Sequence, residues 1–455
     1  MSNAALRPHA PTFTQGNLMR HVAVMTATGS IGLIAIFAVD ALSLFWVARL
    51  GVESYKAAIG YASQLLFMLM AVNIGLTIAI SARVSRALGA GDRSHARRLA
   101  ASGLLLTFLV TILFSAILWR YRDFALLHIM HAQGEAAQVA SGVLAITIPA
   151  NVPMGLGMAL SGVLRACGDA RRAMYVTLSG GVVTAFTDPA LIFGLHLGVY
   201  GAAWAMLISR LVFLWVGYHG ASRVHHLIGR PSLAALKRDL RPLASIGLPA
   251  ILANLATPVA AIYVMRVWSD FGDATAAGGA IVNRVIPLAF GVIFALTGSI
   301  GPIIGQNFGA RLMPRVQRAL TDSFLFAIGY ALFAWAALAL AAPFVVFAFG
   351  ATGDSARFVL LFCRYGALAW VFVTCLFVAN TAFNNLGFAL MAMLFNWGRA
   401  TLGTIPFVTF GAHYGGVPGA IAGLIVGAAI FGLGAVAAAY WLVDRLARRA
   451  IPGYA

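Results

Sequence analysis

Residues 21–48, HVAVMTATGSIGLIAIFAVDALSLFWVA, carry a single formal charge, Asp40. A helix rising about 1.5 Å per residue needs about 20 apolar residues to cross about 30 Å of hydrocarbon. This stretch is long enough. It is rich in Gly, Ala, Leu and Phe and lacks the short alternation of a membrane barrel strand. Residues 173–209 form a second stretch of this kind, and their only formal charge is Asp188. Holding an ionised Asp at a bilayer centre costs roughly 2.5–3.5 kcal/mol. A chain that keeps two such acids uses them, and the natural use is to bind and release a proton or a cation.

The rest of the chain has the same character. Of 455 residues, 61% are apolar and only 10% charged, and the mean hydropathy is +0.90. A soluble domain carries about 25% charged residues. Twelve apolar spans are expected, near 21–48, 57–82, 99–119, 136–159, 173–194, 199–221, 244–268, 276–304, 321–349, 356–382, 387–410 and 416–442. The segment Met1 to Arg20 is polar, contains Pro8 and Pro11, and does not read as a cleavable signal peptide.

The net charge of +18 invites a nucleic-acid reading, but its placement gives another. With the N-terminus in the cytoplasm, 21 Lys and Arg fall on the cytoplasmic side and 6 on the other. That is a positive-inside bias and puts both termini in the cytoplasm. No nucleic-acid partner is implied. Cys167 falls in a turn, while Cys363 and Cys375 share one span. No pair has metal-ligand spacing, and no disulfide framework is visible.

The chain repeats itself. Leu88-Gly89-Ala90 follows span two, and Phe308-Gly309-Ala310 follows span eight, each leading into an Arg-bearing stretch. Val163 to Gly168 (VLRACG) matches Ala382 to Gly387 (AFNNLG). Gly198 to Ala202 (GVYGA) matches Gly416 to Ala420 (GVPGA). Six spans per half is an even number, so both halves enter the membrane alike and are related by an axis along its normal. Such parallel repeats are a transporter architecture with the substrate site between the halves. The expected fold is therefore an all-α polytopic membrane protein. Its twelve transmembrane helices form two six-helix lobes, 1–221 and 244–455, joined by a cytoplasmic linker, 222–243. Within the linker, Leu233 to Leu240 is amphipathic and suits either the membrane surface or a solvated connection.

Four stretches carry a resemblance: Arg86 to Arg93 (RALGAGDR), Gly162 to Asp169 (GVLRACGD), Asp188 to Gly194 (DPALIFG) with Gly198 to Ala203 behind it, and Gly305 to Ala310 (GQNFGA). In this order and spacing the chain resembles the multidrug and toxic compound extrusion (MATE) transporters, closer to their DinF-like branch, over nearly its whole length. The resemblance implies a monomeric two-lobe antiporter in a bacterial inner membrane. Its partners would be an amphipathic small molecule and the lipid bilayer. It would need no cofactor, and its coupling ion would be H+, with Na+ left open.

The resemblance also implies site residues. Asp188, before Pro189 in span five, holds the place of the branch's coupling carboxylate. Thr184 holds the place of an Asn usual one turn earlier. A span-one carboxylate is usual where this chain has Ser43. Here Asp40 lies three residues earlier, on nearly the same helix face and about 4.5 Å along it. The NorM-like branch uses carboxylates in spans seven and ten. Residues 247–268 and 358–383 contain none, which speaks against a second-lobe Na+ site.

Asn151 in span four suits either the cavity lining or an interhelical hydrogen bond. Arg284, Arg364 and Arg399 are expected to snorkel or to form structural pairs near the surface. A lipid-linked precursor flippase is the alternative within transport, although such proteins usually have more spans. A membrane-embedded enzyme would need a polar constellation or a Gly-rich phosphate cradle, which the short basic loops lack.

Overall fold

A computed structural model describes residues 11–450. The side chains of Phe37, Asp40, Ala41, Ala48, Glu53, Lys56 and Ala450 lie outside the described set. The first half is built of α1 (Leu18–Ala48), α2 (Glu53–Gly89), α3 (Arg93–Phe124), α4 (Gly134–Thr147), α5 (Asn151–Ala166), α6 (Ala170–Pro189) and α7 (Val199–Tyr218). The second comprises α8 (Leu233–Asp270), α9 (Asp273–Ala289), α10 (Gly291–Gly309), α11 (Met313–Ala348), α12 (Gly353–Arg364), α13 (Ala369–Leu386), α14 (Ala389–Gly398) and α15 (Ile405–Ala450).

Among the described residues, ten helical runs are long and apolar enough to cross a membrane, and the pair α4 and α5, bent by 49°, supplies an eleventh. The run Ala389–Arg449 is 61 residues long, far more than one crossing needs. It breaks at Gly416, where φ is 58° and ψ −144°. Beyond the break the chain returns along itself. A Cβ on Gly419, Gly423 or Gly427 would overlap the carbonyl oxygen of Gly411, Phe407 or Gly403, respectively. These pairs step apart evenly from the break, as antiparallel helices do. This run is therefore two passes, which makes twelve.

The repeated motifs are helix terminators. At Gly91, Gly168 and Gly387 the backbone is left-handed, with φ of 78°, 93° and 92°, and Arg311 holds the fourth such place at 59°. At each, the two N–H groups past the helix end bond back to its last turn. Gly168 donates to Arg165 O and Asp169 to Leu164 O, and Arg311 donates to Phe308 O and Leu312 to Asn307 O. This closure satisfies orphan carbonyls and favours glycine. Asp92 and Asp169 then cap the next helix by accepting from His95 N and Arg172 N. The third motif is likewise conformational, since Gly198 shares the φ and ψ of Gly416, at 57° and −136°.

The amphipathic stretch Leu233 to Leu240 is helical and continuous with the span that follows. It forms the first turns of α8. Asp239 holds it there, buried between Arg98 Nε at 3.3 Å and Ser102 Oγ at 2.8 Å.

The halves meet along α1 and α2 on one side and α8 and α10 on the other. At the arginine-rich face this seam is two-fold symmetric. A Cβ on Gly89 would overlap Gln306 O, and one on Gly309 would overlap Arg86 O. Arg86 Nε donates to Asn385 O at the end of α13, and Gln306 Nε2 donates to Ala166 O at the end of α5, the latter at 2.8 Å. Residues related by the repeat thus face one another across a single axis. Arg83 adds an asymmetric tie, donating to Pro242 O at 3.0 Å and Ser245 Oγ at 3.1 Å on α8.

Candidate functional site

Asp188 lies in the last turn of α6, about 27 Å along the helix from its arginine-rich end, and is 1% exposed. Pro189 follows, and its missing N–H takes the helical partner from the Ala185 carbonyl. A π-turn, Ala190–Gly194, continues the chain. Such turns mark local departures from helix geometry and recur at functional sites.

Across from Asp188 stands Ser43 of α1, whose hydroxyl donates to Asp188 Oδ2. The sequence placed these two residues in corresponding family positions, and the fold puts them in contact. A hydroxyl suits a carboxyl that changes state, because it donates to the ionised form and accepts from the protonated one. Above the pair, Trp46 and Phe193 pack edge to face with centroids 5.9 Å apart. The backbone of Asp40 sits on α1 one turn from Ser43, and its side chain lies outside the described residues.

Two other expected site residues, Thr184 and Asn151, make hydrogen bonds of their own. Thr184 Oγ1 donates back to Gly180 O at 3.0 Å, and Ser209 Oγ of α7 donates to the same carbonyl at 2.7 Å. Asn151 is buried in a knot of three helices. It accepts from Asn73 Nδ2 at 2.8 Å and donates to Ser115 Oγ at 3.1 Å. This is the interhelical hydrogen bond that was one of its two expected roles.

Arg399 departs from expectation. Rather than snorkelling near a surface, it is 7% exposed and about 15 Å into its span from Ala389. Its Nη2 donates to Thr257 Oγ1 on α8 at 3.1 Å, and its buried Nε has no partner. Among the described residues, no carboxylate pairs with it. A π-turn, Arg399–Gly403, starts at this residue. Its depth could have been counted from the sequence, because it lies well past the turn at Gly387. Arg284 and Arg364 are exposed, as snorkelling requires. Among the described residues, no group of three or more His, Cys, Asp or Glu is placed to hold a metal ion.

The MatE family model matches the chain twice, over residues 30–189 and 249–409. The chain belongs to the MatE family of multidrug and toxic compound extrusion transporters. The two matches fall one on each half, as the repeat requires. Among curated relatives, the FAD transporter of Shewanella oneidensis is 26% identical over 434 residues, covering 93% of each chain. The multidrug export protein MepA of Staphylococcus aureus is 24% identical over 432 residues, 89% of this chain and 90% of that one. In fold, the chain is similar to the Vibrio cholerae MATE transporter VcmN, solved as a point mutant. The TM-score is 0.88 at 22% identity, over 96% of this chain and 98% of that one. The protein is thus a multi-pass membrane transporter and not an enzyme.

Proposed function

We propose that this MatE protein is a monomeric antiporter of a bacterial inner membrane that exports amphipathic or cationic organic compounds as protons enter. The observation that carries this reading is the Ser43–Asp188 contact, a half-buried hydroxyl against a carboxyl buried inside a membrane lobe. The arginine-rich face is read as cytoplasmic from the charge bias, with both termini there. The lobes 1–221 and 244–455, joined by residues 222–243, rock about the seam.

In the outward-open state protons reach Asp188, and Asp40 one turn from Ser43. Neutralising the carboxylate removes the attraction that holds a cationic substrate and lowers the cost of closing apolar packing around it. Deprotonation on the cytoplasmic side restores the anion. Protons fit better than Na+, because residues 247–268 and 358–383 of the second lobe supply no carboxylate. In vesicles with an imposed pH gradient, Asp188→Asn is expected to lower efflux at least about tenfold, the factor that 1.4 kcal/mol represents. Full proton-driven efflux by Asp188→Asn overturns the scheme. Lumenal pH recorded with and without Na+ separates the two ions.

Arg399 favours a second reading, in which the substrate bears an anionic group. A desolvated guanidinium without a carboxylate is costly, and an incoming phosphate or carboxylate offsets that cost. A relative matched over 93% of its length is an FAD transporter, and FAD carries a pyrophosphate. Competition of FAD against dye efflux distinguishes the readings. Inhibition by FAD supports the anionic substrate, and no inhibition at saturating FAD supports the cationic one.

A further inference from the structure

Residues 11–17, ahead of α1, lie in a notch at the arginine-rich face and touch both halves. Thr12 Oγ1 donates to Cys167 O at 3.1 Å, on the α5–α6 turn of the first half. Phe13 N donates to Gln306 Oε1 at 2.9 Å, on α10 of the second half. The Phe13 carbonyl accepts from Asn307 Nδ2 at 3.0 Å and from Arg315 Nη2 at 3.1 Å, and Arg315 Nη2 also reaches Gly16 O at 3.2 Å. The Phe13 ring is 1% exposed and packs in one cluster with Ile300, Ile303 and Met313.

The pseudo-symmetry shows what this arm replaces. On one side of the axis Arg86 fills the notch beside Gly387, its Nη2 3.1 Å from where a Cβ would stand. The related position on the other side is Gln306, whose side chain is shorter. There the notch beside Gly168 is filled by Thr12, 2.8 Å from where that glycine's Cβ would stand. The arm thus completes a seam that the second half leaves unfilled.

We propose that residues 11–17 are a latch that holds the arginine-rich seam closed, and that the arm must leave its notch before the transporter opens on that face. The proposal rests on the two-lobe rocking reading. When the halves separate at this face, the arm cannot keep both sets of contacts. Thr12 belongs with the first half, whereas Gln306, Asn307 and Arg315 belong with the second. Contacts made in one state alone bias the equilibrium toward it, and their removal biases it away. The arm has room to leave, because a cavity of about 350 Å³ bounded by Val24, Met25 and Thr28 lies along it.

The test places spin labels at Arg171→Cys and Gln317→Cys, one in each half, in a background of Cys167→Ser, Cys363→Ser and Cys375→Ser. Distance distributions are recorded in vesicles at two pH values. In the otherwise unaltered protein, a second, longer distance is expected. Phe13→Ala is expected to raise the fraction of that longer distance about fivefold, and Arg315→Gln to raise it less. Gel filtration checks that each variant is monodisperse, and Arg315→Gln decides if Phe13→Ala is not. If the unaltered protein shows the longer distance and neither variant raises it, the latch is overturned. If no condition produces a second distance, the rocking reading itself fails.

Discussion

Ser43 and Asp188 lie 145 positions apart in the chain, and their contact joins the first span to the fifth. Asp188 was legible in the sequence because an acid in an apolar span is expensive wherever it points. Ser43 was legible only by its place in the family pattern, since a serine in a membrane helix costs little and signals little. Arg399 was misread because a charge inside a span has two ways out, snorkelling or burial, and only its neighbours decide which. Among the described residues it has Thr257 and no acid, and that arrangement makes a residue-scale prediction. Arg399→Gln is expected to cut efflux of a carboxylate- or phosphate-bearing amphiphile at least about tenfold, to leave a cationic dye within about twofold, and Arg399→Lys to recover part of the loss. Equal loss for both substrates assigns Arg399 to structure instead.

Among the elements, the turns were the most legible. The Gly-Asp signals at 91–92 and 168–169, the Leu-Gly at 386–387 and the Phe-Gly at 308–309 marked four helix ends, because a helix stop is a local requirement. Helix bends and the course of the linker were not legible, because both depend on distant partners. The linker shows this at His225, whose Nε2 lies 2.7 Å from Asp169 Oδ2. The hydrogen bond it donates to Asp169 pushes His225 up to about 9. Burial pushes Asp169 up, but the bonds from His225 and Arg172 outweigh it and leave the carboxyl well below its ordinary range. The signs follow from the two shifts. A raised His225 stabilises fully below about 6.5, its ordinary value, and that contribution fades as pH rises through about 9. The depressed Asp169 adds stability that is lost only in strong acid. The pair is partly solvated, so its contribution is on the order of 1 kcal/mol. Thermal unfolding in detergent is expected to show a decline in Tm between about pH 6.5 and about pH 9.5 that His225→Gln lessens. An identical decline in the variant removes the pair as its cause.

For the molecule as a whole, the seam depends on the absence of two side chains. The α2 and α10 backbones meet at Gly89 and Gly309 so closely that a Cβ on either has no room in the closed form. Overpacking of such a contact costs about 1–3 kcal/mol, and the cost falls only on the state in which the contact exists. Gly89→Val is therefore expected to shift the label pair across the seam toward its longer distance, and Gly309→Val to do the same. Gly60→Val, at a glycine with open space around it, is the control. A closed distance distribution in both seam variants contradicts this account of the crossing.

Read alone, the amino-acid order was enough to say that this chain lives in a membrane, how often it crosses, where its helices stop, and that it is built twice. Hydrophobic length, turn chemistry and repetition are local or additive properties, and a linear reading captures them. Four features emerged only on folding: Ser43 meets Asp188, Asn151 closes a knot, Arg399 lies buried beside Thr257, and residues 11–17 bridge the two halves. Each of these depends on side chains brought together from separate helices, and the geometry of that meeting is set by packing across the whole fold.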